Sequence, residues 1–259
     1  MMRLDEAIRQ RSEGTAFVPY IMAGDDGLDS LIPTIERLEA MGATAIELGI
    51  PFSDPVADGP IIEAAGMRAL EQGVTLTDVL DRLIEGTGRF SVPIVLMTYL
   101  NPVFRFGVER FFERAAASGV SGVIIPDLPF EESLDLFAGI DRHEVAVVPL
   151  VTLTSSQARI DTILDQAEGF VYAVTLKGTT GKTDVFPEAL LDHLRSLTER
   201  SPVPVLAGFG VHRADQVRTL GAACDGVVVG SFIVEALHAG REQDVAALIA
   251  SARTVSVKK

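Results

Sequence analysis

Residues 16–48 read AFVPYIMAGDDGLDSLIPTIERLEAMGATAIEL, and the hydrophobic pattern changes twice along them. Ala16–Met22 is a short apolar run rich in β-formers, as expected of a strand buried on both faces. Leu28–Met41 then places Leu31, Ile32, Ile35, Leu38 and Met41 near three- and four-residue spacing, which predicts an amphipathic helix stopped by Gly42. Thr44–Leu48 returns to a continuous apolar run, so the unit is strand, helix, strand, which calls for parallel pairing across a helical crossover.

The alternation continues to the end of the chain. Further strands are expected at Pro93–Thr98, Ser121–Pro126, Val145–Leu150, Phe170–Thr175, Val203–Ala207 and Gly226–Val229. Helical patterns lie around Leu76–Ile84, Val108–Ala117, Glu131–Phe137, Ser155–Ala167, Glu188–Leu197, Arg213–Leu220 and Asp244–Ala252. Eight strands thus pair with eight helices, and the long gap after the second strand has room for an extra helix around Ile61–Gln72. With no linker or low-complexity stretch, residues 1–259 are expected to form a single α/β domain, a (β/α)₈ TIM barrel. A doubly wound open sheet is the competing architecture, but no Gly-x-Gly-x-x-Gly turn follows the first strand, where a dinucleotide site would need one.

The 259 residues are 47% hydrophobic, enough for a full core, and carry a formal charge of −14. That acidic balance argues against coating nucleic acid or binding an anionic membrane, both of which need a basic face. No apolar segment follows a basic N-terminus, and the longest uncharged stretch, Phe90–Phe104, is too short for a spanning helix and contains two prolines. A soluble, cytoplasmic protein is expected. The single Cys224 excludes an internal disulfide and reads as a small buried hydrophobe. His143, His193, His212 and His238 lack metal-ligand spacing, so no metal site is expected.

In barrels, chemistry collects on the loops after the strand C-termini. The densest cluster of unusual residues there runs from Glu47 to Pro60, ELGIPFSDPVADGP. Glu47 sits inside an apolar run, where a carboxylate is costly unless it is paired, protonated or used; the competing reading is an exposed acid at the barrel rim. Asp58 follows in a Gly/Pro-rich loop opening from the same strand end, so both carboxylates can face one pocket, although Asp-Gly is also a common turn pair. A second cluster is glycine-rich: Gly178-Thr179-Thr180-Gly181, Gly208-Phe209-Gly210 and Gly230-Ser231, at the last three strand ends. Backbone amides of such loops and a short helix N-terminus commonly cradle phosphate, while any one of these glycine pairs could be a plain tight turn.

Taken together, Phe17-Val18-Pro19-Tyr20, Glu47–Pro60, Leu96–Phe104 (LMTYLNPVF), Ile125–Glu132 (IPDLPFEE), the Gly-Thr-Thr-Gly loop, Gly208-Phe209-Gly210 and Gly230-Ser231 resemble, in order, the tryptophan synthase α subunit family. The resemblance covers nearly the whole chain, and the Glu-to-Asp segment is its most specific part. It implies a (β/α)₈ lyase that splits indole-3-glycerol phosphate into indole and glyceraldehyde 3-phosphate. It further implies a β subunit that carries pyridoxal phosphate, in an α₂β₂ assembly, with no cofactor in this subunit.

Carried over residue by residue, the resemblance makes Glu47 the acid/base that shuttles protons and Asp58 the carboxylate at the indole N–H. Tyr172 matches the family tyrosine near the catalytic acid; the competing reading is a barrel-core aromatic. Phosphate would meet the amides near Gly181, Gly210, Gly230 and Ser231, while Tyr20, Leu96, Leu100, Leu128 and Phe209 would line the indole pocket; the competing reading for most of these is plain barrel packing. Leu176–Asp184 would act as a lid, with Thr180 bonding Asp58 on closure. Many family members carry Arg-Ala-Gly-Val-Thr-Gly in this lid, whereas here the stretch is Leu176-Lys177-Gly178-Thr179-Thr180-Gly181, with the arginine missing and Lys177 displaced from its place by one position. Contact with the β subunit is expected on the active-site face through Pro51–Asp54, Asn101–Phe104 and Pro129–Glu132, because the loops there also border the substrate entrance; the competing reading is rim loops with no partner. Two other functions compete: a stand-alone lyase releasing free indole, and a non-catalytic barrel that activates a β subunit.

Overall fold

The computed structural model describes residues 3–10, 13–174, 186–208 and 210–255. The strands among them are β1 (Ala16–Met22), β2 (Ile46–Gly49), β3 (Ile94–Met97), β4 (Val120–Ile124), β5 (Ala146–Val147), β6 (Leu150–Thr152), β7 (Val171–Val174), β8 (Val205–Gly208) and β9 (Gly226–Val229). All neighbouring strands are parallel, in the order β5-β4-β3-β2-β1-β9-β8-β7-β6.

The two ends of that order, β5 and β6, are consecutive in the chain. The sequence pattern predicts one strand over Val145–Leu150, and the structure breaks it at Val148-Pro149, because proline has no N–H to give to a ladder. The break also closes the ring: the Val148 amide donates to the Val123 carbonyl on one side, and the Tyr172 amide donates to the Pro149 carbonyl on the other, both at 2.9 Å. The sheet is therefore a (β/α)₈ barrel whose fifth strand is kinked.

Outside the sheet lie α1 (Leu4–Arg9), α2 (Leu31–Met41), α3 (Pro60–Glu71), α4 (Leu76–Glu85), α5 (Leu100–Phe106), α6 (Val108–Ala117), α7 (Phe130–Leu136), α8 (Gln157–Asp165), α9 (Glu188–Arg200), α10 (Ala214–Gly221), α11 (Ser231–His238) and α12 (Glu242–Arg253). The extra helix expected near Ile61–Gln72 is α3. Helices α1, α5 and α11, of six to eight residues, are short elements that the sequence pattern does not announce separately.

Two layers of core follow from the period-two alternation of the strands. Inside the ring, Ala16, Val18, Ala45, Val95, Ile124, Phe170, Tyr172, Leu206 and Val228 pack together with Leu4 and Ile8 of α1. Outside it, Phe17, Ile46, Leu48, Leu96 and Val123 pack against the helices. Cys224 lies buried, with its thiol against the Leu220 and Gly226 carbonyls at 3.2 Å. No helix among the described residues is long and apolar enough to cross a membrane.

Candidate active site

Following the inward-facing set toward the strand C-termini leads from packed core into a cavity of about 410 Å³. Its walls include Tyr20 from β1, Glu47 from β2, Met97 from β3, Ile124 from β4, Leu150 from β6, Tyr172 from β7 and Val228 from β9. Asp58, Gly59, Ile61, Ile62, Gly210, Val211, His212, Gly230, Ser231 and Phe232 complete the wall, with Ile62 packed close to Gly230.

Glu47 lies on β2 in register with Tyr20 of β1, and only 2% of it is exposed. Its Oε2 has no hydrogen-bond partner among the described residues. Burial, with the Asp58 charge adding to it, pushes the Glu47 carboxyl up to about 8. The carboxylate costly in an apolar run is therefore neither a rim acid nor a paired one; it is held largely protonated at neutral pH.

Asp58 is brought to the same cavity by the loop between β2 and α3. Tyr99 fastens that loop: its hydroxyl accepts the Ala57 amide at 3.0 Å and donates to the Asp58 carboxylate, and its ring stacks on Phe52 with centroids 5.2 Å apart. Burial pushes Asp58 up to about 6, the Tyr99 hydrogen bond opposes the rise, and the Glu63 charge adds to it. The two carboxyls thus sit on opposite sides of neutrality, one mostly neutral and one mostly charged. The hydroxyls of Tyr20 and Tyr172 are held well above the ordinary tyrosine range, first by burial and then by nearby carboxylates, so both stay protonated.

Part of the cavity wall is built from backbone. Gly210 has φ 80°, a conformation that favours glycine, and a Cβ on Gly208 would lie 2.3 Å from the Tyr172 hydroxyl oxygen. Helix α11 begins at Ser231 with no side-chain cap, which leaves its first amides open toward the cavity, where the helix dipole favours an anion.

The structure therefore gathers Glu47, Asp58, Tyr172, Tyr20, Gly210, Gly230 and Ser231 around one cavity. It places three expected lining residues elsewhere. Leu96 faces the barrel–helix layer, one residue out of phase with Met97, which does line the cavity. Leu100 and Leu128 pack partly buried against that same outer layer. Thr180, Gly181 and Phe209, with Lys177 and the proposed lid Leu176–Asp184, lie outside the described residues.

Sequence reading missed Met97, Tyr99 and His212. The inward phase of Val95 and Met97 on β3, continued past its end to Tyr99, is the signal that identifies the first two; nothing local marks His212. Away from the cavity, Asp25, Asp26 and His238 bring ligand-type atoms within 4.8 Å of one another, a grouping that sequence spacing did not foresee. Arg68 already holds the Asp25 carboxylate through two contacts, at 2.5 and 3.0 Å.

Comparison with known proteins decides the relationship. The sequence profile of the tryptophan synthase alpha chain matches residues 7–258. The chain belongs to the tryptophan synthase alpha chain family. It is 46% identical to the tryptophan synthase alpha chain of Oceanobacillus iheyensis, over 95% of each chain, and 48% identical to that of Streptococcus thermophilus, over 94% of each. The crystal structure of tryptophan synthase subunit alpha from Legionella pneumophila superposes with a TM-score of 0.84 at 30% identity, covering 98% of this chain and 97% of that one. Members of this family are carbon–carbon lyases of tryptophan biosynthesis that work with a β subunit, and it is the β subunit that carries pyridoxal phosphate.

Proposed function

We propose that this chain cleaves indole-3-glycerol phosphate by a retro-aldol reaction, with Glu47 as the proton shuttle. The observation that carries the assignment is the pair of buried carboxyls held on opposite sides of neutrality in one cavity, Glu47 at about 8 and Asp58 at about 6. Cleavage must add a proton to indole C3 and remove one from the glycerol hydroxyl beside the breaking bond. Glu47, protonated at neutral pH, gives its proton to C3. The resulting carboxylate then takes the hydroxyl proton as the carbon–carbon bond breaks and the aldehyde forms, which restores the acid. Asp58, ionised, faces the indole N–H and stabilises the positive charge on the ring while C3 is protonated. Tyr172 and Tyr20 wall the ring pocket beside Glu47, and the amides near Gly210, Gly230 and Ser231 receive the phosphate. Thr180, Gly181, Phe209 and the lid belong to the same reading.

We assign the β-subunit contact to Pro51–Asp54, Asn101–Phe104 and Pro129–Glu132, in an α₂β₂ assembly in the cytoplasm, with residues 1–259 as one domain. Phe104, 52% exposed on this rim, supports that face. The stand-alone and non-catalytic alternatives have no comparable observation in their favour.

Indole release from indole-3-glycerol phosphate, measured with and without a purified β subunit, tests the assignment. Turnover lost on Glu47→Gln is expected; no indole in either condition, or full turnover in that variant, would defeat it. Size-exclusion with the β subunit tests the assembly, and separate elution counts against it.

A further inference from the structure

The ester that this cavity is proposed to bind carries a phosphate, yet the acidic side chains on its wall are Glu47, Asp58 and Glu235. Among the described wall residues there is no lysine or arginine, and a single base, His212. Arg213, next in sequence, is turned to Asp215, which it holds through two contacts at 3.1 Å, and Glu235 is paired with Arg241 at 3.2 Å.

His212 is fixed at both ends. Its amide donates to Gln216 Oε1 at 2.9 Å, and its Nδ1 lies 2.9 Å from the Gly210 carbonyl. A carbonyl only accepts, so Nδ1 carries the proton, and Nε2 is left with no partner among the described residues. The ring belongs to the Gly210–His212 turn, which lines the same cavity as the open N-terminus of α11. An imidazolium there would be held by the Gly210 carbonyl on one side and could donate its second N–H to an anion on the other.

We propose that His212 is a specificity-determining residue of the phosphate end of the cavity. It donates from Nε2 to a phosphoryl oxygen of the glycerol phosphate moiety and supplies the positive charge that backbone amides give only as partial dipoles. The proposal rests on the reading of the cavity as a site for a phosphate ester. It makes the site recognise the phosphate by a titratable side chain as well as by main chain.

The test uses the full chain and two ligands that each fill half the site, sn-glycerol 3-phosphate and free indole, titrated calorimetrically. His212→Asn keeps a donor for the Gly210 carbonyl and removes the group at Nε2. It is expected to weaken glycerol 3-phosphate by about tenfold or more, the scale of a charged hydrogen bond, and to leave indole within twofold. His212→Gln restores a neutral donor near the Nε2 position and is expected to recover part of the loss. With indole-3-glycerol phosphate, His212→Asn should raise KM by about the factor lost for glycerol 3-phosphate. Equal affinity of wild type and His212→Asn for glycerol 3-phosphate overturns the proposal, as does an equal loss for indole. Glycerol 3-phosphate binding that depends on His212 in a protein that forms no indole would overturn the lyase assignment and uphold this one.

Discussion

Replacing Glu47 by Gln removes the most costly group of the cavity and the most useful one. The carboxyl keeps its proton up to about 8 in the folded chain, against an ordinary value of 4.5. Below about 4.5 both folded and unfolded states hold the proton, and the group contributes nothing to the pH dependence. As pH rises above that value the unfolded chain releases its proton and the folded chain does not, so stability falls by ~1.4 kcal/mol per pH unit. The fall ends near 8, where the folded group ionises as well. A span of about 3.5 pH units gives a total of about 5 kcal/mol, a large share of the ~5–15 kcal/mol that holds a protein folded. The amide of Gln has nearly the same shape and no charge to lose. Urea denaturation of wild type and Glu47→Gln should give similar stabilities at pH 5. The variant should be more stable by about 3 kcal/mol at pH 7 and about 5 kcal/mol at pH 9. Indole release should fall by a factor of about 10² to 10⁴ in the same variant, the contribution typical of a positioned acid/base. Two proteins whose stabilities run parallel from pH 5 to 9 would refute the account of Glu47 as a carboxyl strained by burial.

Three further outcomes follow from the same geometry. The pH profile of kcat/KM should be bell-shaped, rising near 6 as the cavity's first carboxyl ionises and falling near 8 as the second loses its proton; a profile flat between 5 and 9 would count against the pair. Tyr99→Phe removes the Ala57 and Asp58 hydrogen bonds, costs about 1 kcal/mol in urea denaturation, and moves the rising limb to higher pH, because that bond opposes the rise of Asp58; an unmoved limb would show that Tyr99 does not act on Asp58. Gly208→Ala sets a methyl against the Tyr172 hydroxyl and should destabilise the fold by ~1–3 kcal/mol, with indole release reduced; unchanged stability would show that Tyr172 is free to move aside.

Local sequence is a good guide wherever local physics decides. The change of period across Ala16–Leu48 announces strand, helix and strand because a buried parallel strand needs apolar residues on both faces and its crossover helix needs only a stripe. Glu47 stands out for the same reason, as a charge in a run that burial would otherwise forbid. Long range is where the reading loses grip. Val145–Leu150 looks like one strand, and that Pro149 splits it while leaving the barrel closed depends on which neighbours offer carbonyls and amides on each side. On the third strand, composition favours Leu96 as readily as Met97, and a shift of one residue turns every side chain to the other face. Pairing with β2 and β4 sets that phase, and it turns Met97 inward and Leu96 out, with Tyr99 placed under the Asp58 loop. His212 shows the limit most plainly. No motif marks it, although Gly210 and Gln216 close by in sequence hold it; its role comes from β8, α10 and α11 converging at one end of the barrel, and from a turn that aims one ring nitrogen at a carbonyl and leaves the other open. The sequence carried the order of elements and the identity of the buried acid, since both are set by free energies of transfer along the chain. Which side chains share the cavity, and at what protonation, was fixed when strands distant in sequence closed into a ring and shut water out.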